Sequence, residues 1–542
     1  MKLTEAQFTH LLKALTDIGI ALSAEKDHNR LLEIILKKAQ EITHADGGTL
    51  YTCTEDAELK FEIMINQSMG IHLGGTSDKQ VNFKNLPLYD EKGKPNDHML
   101  APWAAVSRQT INIKDAYNNK KFDLSGTKNF DKNTGYHSQS FLTVPMTNHL
   151  NEVIGVLQLI NALDKTNNNI IPFSKLDQYI VESLASQAAV TITNRQLIET
   201  QKELFDALIQ LIAQAIDEKS PYTGGHCRRV PILTRMIALA TCQIDKGPLK
   251  DFSMTEDELY ELQVAAWLHD CGKITTPEAV VDKATKLERI MDGVHLIDTR
   301  FEVLKRDAII QALQSKLQQT TGNLYNLQHD NKLQEQLAQL NTERELIRES
   351  NLGSEQIHPQ KLKSIQEIAK RRWIGPSGTE EDFLSKMEIL MLEINKGTLS
   401  NKERDIINNH VSMTLKMLES LPYPKNLKNV PQLAGSHHEK MDGTGYPRGL
   451  TKDQMSLQAR MIAIADIFEA LTASDRPYKK AMPLSQALSI LGKMKVEGHI
   501  DPDLFDVFMH AKIYEHYAEE YLDRAMYDAI DFSKIPGYTL IK

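Results

Sequence analysis

The pair His437-His438, followed by Glu439-Lys440-Met441-Asp442-Gly443-Thr444-Gly445-Tyr446-Pro447, constrains this chain more than any other segment. It sets two adjacent imidazoles before a loop rich in glycine and closed by proline, and it does not stand alone. Upstream lie His226 in TGGHCRRV, the pair His269-Asp270 followed by Gly272-Lys273, and His410 in NNHV; downstream lies Asp466 in IADIFEALTASDRP. Imidazole nitrogen and carboxylate oxygen are ligands for Mn, Fe, Co or Zn. Five histidines and two aspartates in this order can furnish a centre of two ions, provided that the fold returns segments spread over residues 226–466 to one place.

The spacing gives each group a part. His269 and Asp270 end the apolar helical stretch ELQVAAWLHD, and consecutive helical side chains project about 100° apart. His269 then approaches one ion from the side, while Asp270, with two oxygens, bridges the pair. His226 and Asp466 complete one shell; His410, His437 and His438 complete the other. Two ions roughly 3.5–4 Å apart hold a water of lowered pKa and clamp a phosphodiester for in-line attack. Lys273, Arg476 and Lys480 supply positive charge for phosphate oxygens. Taken singly, an HD dipeptide or a helical histidine means little, and His295, His358 and His499 are read as ordinary residues. The ordered set carries the signal.

At 542 residues the chain exceeds one hydrophobic core. Its 41% hydrophobic and 25% charged residues are those of a soluble protein. A net charge of −9 argues against a general nucleic-acid binder. Cys53, Cys227, Cys242 and Cys271 show no CxxC spacing, and reduced thiols in a cytoplasmic protein are expected. The N-terminus lacks the apolar core of a signal peptide. No apolar run is long enough to span a bilayer.

Residues 1–175 mix signals. Leu11 to Leu22 and Leu31 to Ile42 are helical in period, whereas Gly48–Cys53, Leu59–Ile65, Gln109–Ile113, Ser140–Met146 and Val153–Ile160 read as strands. An α+β domain follows. Residues 176–216 form one long linker helix, uninterrupted until Pro221; its apolar stripe predicts a parallel homodimer. Residues 217–515 are almost wholly helical. A Gln/Asn/Lys/Glu-rich insert at about 287–397, with Leu324, Leu327, Leu333, Leu337 and Leu340 at heptad-like spacing, predicts a projecting helical hairpin. Residues 516–542 form a tail.

HD with GK, then HHE..DGTGYP, then AD.FEALTASDRPY resembles the HD-GYP family of bacterial cyclic dinucleotide phosphodiesterases, over roughly residues 200–290 and 398–515. The resemblance implies an all-α HD-superfamily domain that hydrolyses cyclic di-GMP to linear pGpG, and in many members on to GMP; some relatives cleave 3′,3′-cGAMP. It implies metal ligands at His226, His269, Asp270, His410, His437, His438 and Asp466. The divalent ions would be iron or manganese first, then zinc, cobalt, nickel or magnesium. Asp270 and Lys273 take catalytic roles; Lys273, Arg476, Lys480 and the loop Gly445-Tyr446-Pro447 face substrate. Relatives with a third ion carry a glutamate where this chain has Tyr222, so two ions are expected.

FDKNTGYHSQSFLTVPM and EVIGVLQLINALD resemble GAF domains, sensory α+β modules with a six-stranded antiparallel sheet and a pocket for a small ligand. The nucleotide-binding signature is incomplete: Asn161, Phe173 and Asp177 are present, but Ala162 and Gln178 replace Lys and Glu. Gly135 and Tyr136 mark a loop able to line such a pocket. The reading is a cytoplasmic, dimeric phosphodiesterase under a GAF-like sensor. Its rivals are a metal-binding signalling adaptor and a phosphohydrolase for another nucleotide.

Overall fold

The computed structural model describes residues 5–25, 27–219, 225–317, 327–353, 356–473 and 482–539. The chain divides into two compact units, Met1–Leu204 and Phe205–Lys542.

The first unit runs α1 (Glu5–Ala24), α2 (His28–Thr43), β1 (Ala45–Cys53), β2 (Glu58–Asn66), β3 (Ile71–Gly74), β4 (Leu86–Pro87), α3 (Leu100–Ser107), β5 (Ile111–Ile113), α4 (Ser125–Thr134), β6 (Phe141–Thr147), β7 (Val153–Leu163) and β8 (Ile170–Ile171). The expected six-stranded sheet is present as the antiparallel path β3-β2-β1-β7-β6-β5, with β4 added to β2 and β8 to β7. Asp27 starts α2 by accepting the Arg30 amide at 2.7 Å, and α2 then buries Leu31, Leu32, Ile35 and Leu36 against Leu50, Leu157 and Leu159 of the sheet. A β-carbon at Gly48 would stand 2.7 Å from Leu36 Cδ1, so glycine lets α2 lie close on β1. Val181, Leu184 and Ala188 of α5 (Lys175–Lys219) join this core. On the other face α3 packs on Tyr51, Leu59 and Val156. There a cavity of about 330 Å³ is lined by Tyr51, Phe61, Phe83, Phe130, Tyr136 and Gln158, among others.

The second unit continues with α6 (His226–Cys242), α7 (Glu256–Leu268), a 3-10 turn (Cys271–Thr275), α8 (Glu278–Val281), α9 (Val294–Leu317), α10 (Asn331–Asn351), α11 (Pro359–Ala369), β9 (Arg372–Ile374), β10 (Glu380–Asp382), α12 (Lys386–Leu392) and α13 (Asn401–Glu419). It closes with α14 (Val430–Ala434), α15 (Leu457–Thr472), α16 (Leu484–Val496), α17 (Pro502–His510) and α18 (Ile513–Tyr521). Leu233, Ile237, Leu262, Ile462, Phe468 and Phe508 lie in one core. The segment 287–397 has its own, around Phe301, Leu340, Ile347, Ile365 and Phe383. Helices α9 and α10 pack together in the segment where a helical hairpin is expected, with Leu333, Leu337 and Leu340 on α10, Leu327 in a 3-10 turn and Leu324 outside the described residues. The short α11, α12 and β9–β10 ribbon, too brief for a periodic signal, were not expected.

Both ends of that segment are held at one place. Buried Lys286 donates to the carbonyls of Leu392 (3.1 Å) and Ile394 (2.8 Å), and Lys283 pairs with Glu403 at 2.7 Å. Glu403 also completes a capping box with Ser400 at the start of α13. The return of the chain is thus tied to the helix that carries His410.

Burial alone would raise the pKa of Glu33, but bonds from Lys37 and Thr76 outweigh it and hold this carboxylate at about 2. A depressed folded pKa stabilises above the unfolded value and is lost as pH falls toward the folded one. Thermal melts taken from about pH 5 downward should therefore show a smaller loss of stability in Glu33→Gln than in the wild type; parallel losses would contradict this.

Candidate metal centre

The 3-10 turn positions the centre. α7 starts with a capping box between Thr255 and Glu258 and ends at Leu268, placing His269 and Asp270 where the chain tightens into Cys271–Thr275. A β-carbon at Gly272 would meet the His410 carbonyl oxygen at 2.0 Å and the Thr414 amide nitrogen at 2.6 Å. The bare glycine lets the turn lie directly on α13. Thr414 Oγ1 fastens it, accepting the Gly272 amide at 2.9 Å and donating to the His269 carbonyl at 3.1 Å.

Asp270 lies between two groups of imidazoles. Its Oδ1 faces His410 Nε2 (3.2 Å) and His437 Nε2 (3.8 Å). Its Oδ2 faces His226 Nε2 and His269 Nε2, each at 3.4 Å. Asp466 Oδ1 stands 3.3 Å from His226 Nε2 and 3.7 Å from His269 Nε2. Three sets keep one ligand atom apiece within 4.8 Å of each other: His226, His269 and Asp466; His410, His437 and His438; His269, Asp270 and His437.

The remaining bonds of these rings fix their tautomers. His269 Nδ1 donates to the Ala266 carbonyl and His437 Nδ1 to the Ala434 carbonyl, both at 2.7 Å. His410 Nδ1 donates to the Ile407 carbonyl, and His226 Nδ1 bonds Glu469. The Nε2 atoms of His226, His269, His410 and His437, and Asp270 Oδ1, are left buried without a hydrogen-bond partner. Orphaned, inward-facing lone pairs with the opposite ring nitrogen tied down are what metal-ligating histidines show. The residues fit divalent ions.

Charge points the same way. Burial lowers His437 well below its usual value and His438 to about 4, so both are neutral donors. Burial would raise Asp270 and Asp466, but Lys273 and His269 beside the first, and His226 and His269 beside the second, hold both well below the carboxylate range. Burial would lower His226 and His269, but Glu469 beside the first and Asp270 beside the second raise them, His269 to about 9. The buried carboxylates, with Lys273 bonded to Asp270, thus draw positive charge to the centre, which divalent ions would supply in place of these protons.

A cavity of about 270 Å³ opens on the centre, lined by Lys273, Arg229, Asn408, His438, Tyr446 and Asp466 among others. Tyr446 stacks on His438, centroids 4.9 Å apart. Gly445 and Pro447 are not among the lining residues. A β-carbon at Gly445 would stand 2.4 Å from the Lys440 nitrogen, so this glycine lets the loop fold back. Buried Glu439 holds the loop, accepting the amides of Arg448 (2.7 Å) and Leu450 (2.9 Å). Arg476, Lys480 and Tyr222 lie outside the described residues.

Sequence reasoning missed Glu469, Arg229 and Thr414. Glu469 bonds His226 Nδ1 and accepts Arg229 Nε at 2.7 Å; its place one helical turn after Asp466 on α15 was the available signal. Cys227 and Cys271 are buried and free, and burial pushes their thiols up, Cys271 to about 11, which disfavours them as ligands.

Three comparisons with known families coincide with these units. Residues 27–192 match the GAF domain, and residues 223–352 and 387–504 match two models of the HD domain. The chain joins a GAF domain to an HD domain. The gap between the HD matches falls inside the insert, in keeping with its separate core. Among curated relatives, a 3′3′-cGAMP-specific phosphodiesterase of Vibrio cholerae is 38% identical over 25% of this chain and 29% of its own length. A cyclic di-GMP phosphodiesterase of Pseudomonas aeruginosa is 37% identical over 26% of this chain and 33% of its own length. One from Thermotoga maritima is 31% identical over 27% of this chain and 36% of its own length. The chain thus spans about a third of the length of these relatives.

In the GAF domain the partial nucleotide signature is structural. Asn161 Oδ1 accepts the amides of Gln139 (2.8 Å) and Ser140 (3.2 Å), and its Nδ2 donates to the His137 carbonyl. Phe173 is core, and Asp177 caps α5 by accepting the Ser174 amide at 2.7 Å.

Gly272→Ala should separate the turn from α13, costing about 1–3 kcal/mol as overpacking does. The variant is expected to melt lower and to retain less Mn(II) after loading and desalting. Metal content equal to wild type would show that the close approach is not what assembles the site.

Proposed function

We propose that this chain is a metal-dependent phosphodiesterase that hydrolyses a cyclic dinucleotide, cyclic di-GMP first and 3′,3′-cGAMP second. The observation that carries the reading is Asp270, whose two oxygens face different imidazole groups. The phosphodiesterase names of the HD-domain relatives support the substrate class. His226, His269 and Asp466 would hold one divalent ion, His410, His437 and His438 a second, with Asp270 shared. The imidazoles suit iron, and the shared and terminal carboxylates of Asp270 and Asp466 admit manganese. When bound, such ions lower the pKa of a water and neutralise phosphate charge.

The chain's own groups do the rest. Glu469 and three backbone carbonyls hold Nδ1 of His226, His269, His410 and His437, so the Nε2 atoms of these four rings stay aimed inward. Lys273 and Arg229 bring positive charge to the cavity wall, where phosphate oxygens would bind. Tyr446, stacked on His438, closes one side against water.

Around this centre we place a cytoplasmic protein, in keeping with its free cysteines and with the absence, among described residues, of a helix long and apolar enough to cross a membrane. The aromatic-lined GAF cavity suits a small regulatory ligand. Leu197, Leu204, Leu208 and Leu211 lie exposed along α5 at the three- and four-residue steps of a coiled-coil seam, which supports a parallel homodimer.

Protein loaded with Mn(II), or anaerobically with Fe(II), should convert cyclic di-GMP to pGpG, followed by chromatography, and Asp270→Asn should abolish conversion. No turnover of either cyclic dinucleotide at full metal occupancy would overturn the reading. Leu204→Glu combined with Leu211→Glu should yield monomer by light scattering, whereas a monomeric wild type would remove the seam.

A further inference from the structure

The last turn of α5 touches two segments that carry candidate ligands, the start of α6 and the 3-10 turn after Asp270. Helix α6 begins at His226, and its N-cap, Gly225, has no side chain to satisfy the first amides. Asp217 supplies the cap from α5, accepting the Gly225 amide at 3.1 Å and the Cys227 amide at 3.4 Å. Two residues on, Lys219 Nζ donates to the carbonyls of Lys273 (3.3 Å), Ile274 and Thr276 (2.6 Å). These carbonyls lie at and just past the C-terminal end of the 3-10 turn, where helix geometry leaves acceptors to be satisfied; that of Lys273 also accepts the Thr276 amide at 3.0 Å. An ammonium has three donors, and Lys219 spends all three there. An acid at a helix N-terminus and a base at a C-terminus are each the favourable sign for the local dipole.

We infer that Asp217 and Lys219 are positioning residues: the end of α5 sets where His226 enters the centre and where Lys273 stands against Asp270. Lys219 holds the C-terminal side of the 3-10 turn as Thr414 holds its N-terminal side. A small displacement of the helix end would move Lys273, and with it the charge offered to phosphate, without removing any metal ligand. The catalytic part of this inference rests on the phosphodiesterase reading; the clamp itself does not.

The test uses the full Mn(II)-loaded chain and Lys219→Met, which keeps the side-chain stem and removes the donors. Amide hydrogen exchange across residues 270–277 should accelerate. kcat for cyclic di-GMP should fall about tenfold at near-constant KM and metal content, as loss of a transition-state contact does. Lys219→Arg, which restores charged donors, should recover most of both. Asp217→Ala should instead weaken Mn(II) retention. Wild-type exchange in Lys219→Met, or faster exchange with unchanged kcat, would overturn the positioning role. Should the methionine variant lose its cooperative melt, Lys219→Gln repeats the same comparison. If the wild type turns over no substrate, the exchange experiment still decides the clamp, and the failure belongs to the phosphodiesterase reading.

Discussion

Contact between the 3-10 turn and α13, made at a glycine that leaves no room for a β-carbon beside the His410 carbonyl, is the constraint on which the rest of the centre depends. It brings Asp270 within ion-pair distance of His410 on one oxygen while the other stays with His226 and His269. Slack there would draw Asp270 Oδ1 away from His410, while His269, its chain neighbour, moves with it. Thr414 converts the steric fit into a directed one, because a single hydroxyl serves the backbone on both sides of Asp270.

That arrangement is electrostatically costly without cations. Buried carboxylates and buried lone pairs lose hydration, and protein partners replace only part of it. The same centre becomes favourable once divalent ions complete the set, so metal binding and the stability of this part of the HD domain are linked. The fold prepares for this by orienting four of the five imidazoles beforehand: three lean on carbonyls three residues earlier in their own segments, and His226 leans on Glu469.

Much of this was legible in the sequence. The order His226, His269-Asp270, His410, His437-His438, Asp466 survives the insert because Lys283 and Lys286 bring its ends together. Strands β1, β2, β5, β6 and β7 of the GAF domain and the long helix α5 followed from periodicity, whereas β3, β4 and β8, two to four residues each, are too short to show it. What escaped were the residues whose meaning is a tertiary partner. Glu469 reads as an ordinary helical glutamate until His226, 243 positions away, is set beside it. Glu439 and Thr414 are similar cases, each defined by the backbone it holds. Asn161 matched a ligand-binding signature in sequence, yet in space its carboxamide closes a loop.

The bridging role of Asp270 is tested most directly by electron paramagnetic resonance of the Mn(II)-loaded chain, with metal content measured on the same sample. The account predicts two ions per chain and the complex signal of an exchange-coupled pair, giving way to uncoupled manganese in Asp270→Ala. A simple six-line spectrum from isolated Mn(II) in the fully loaded wild type would contradict it.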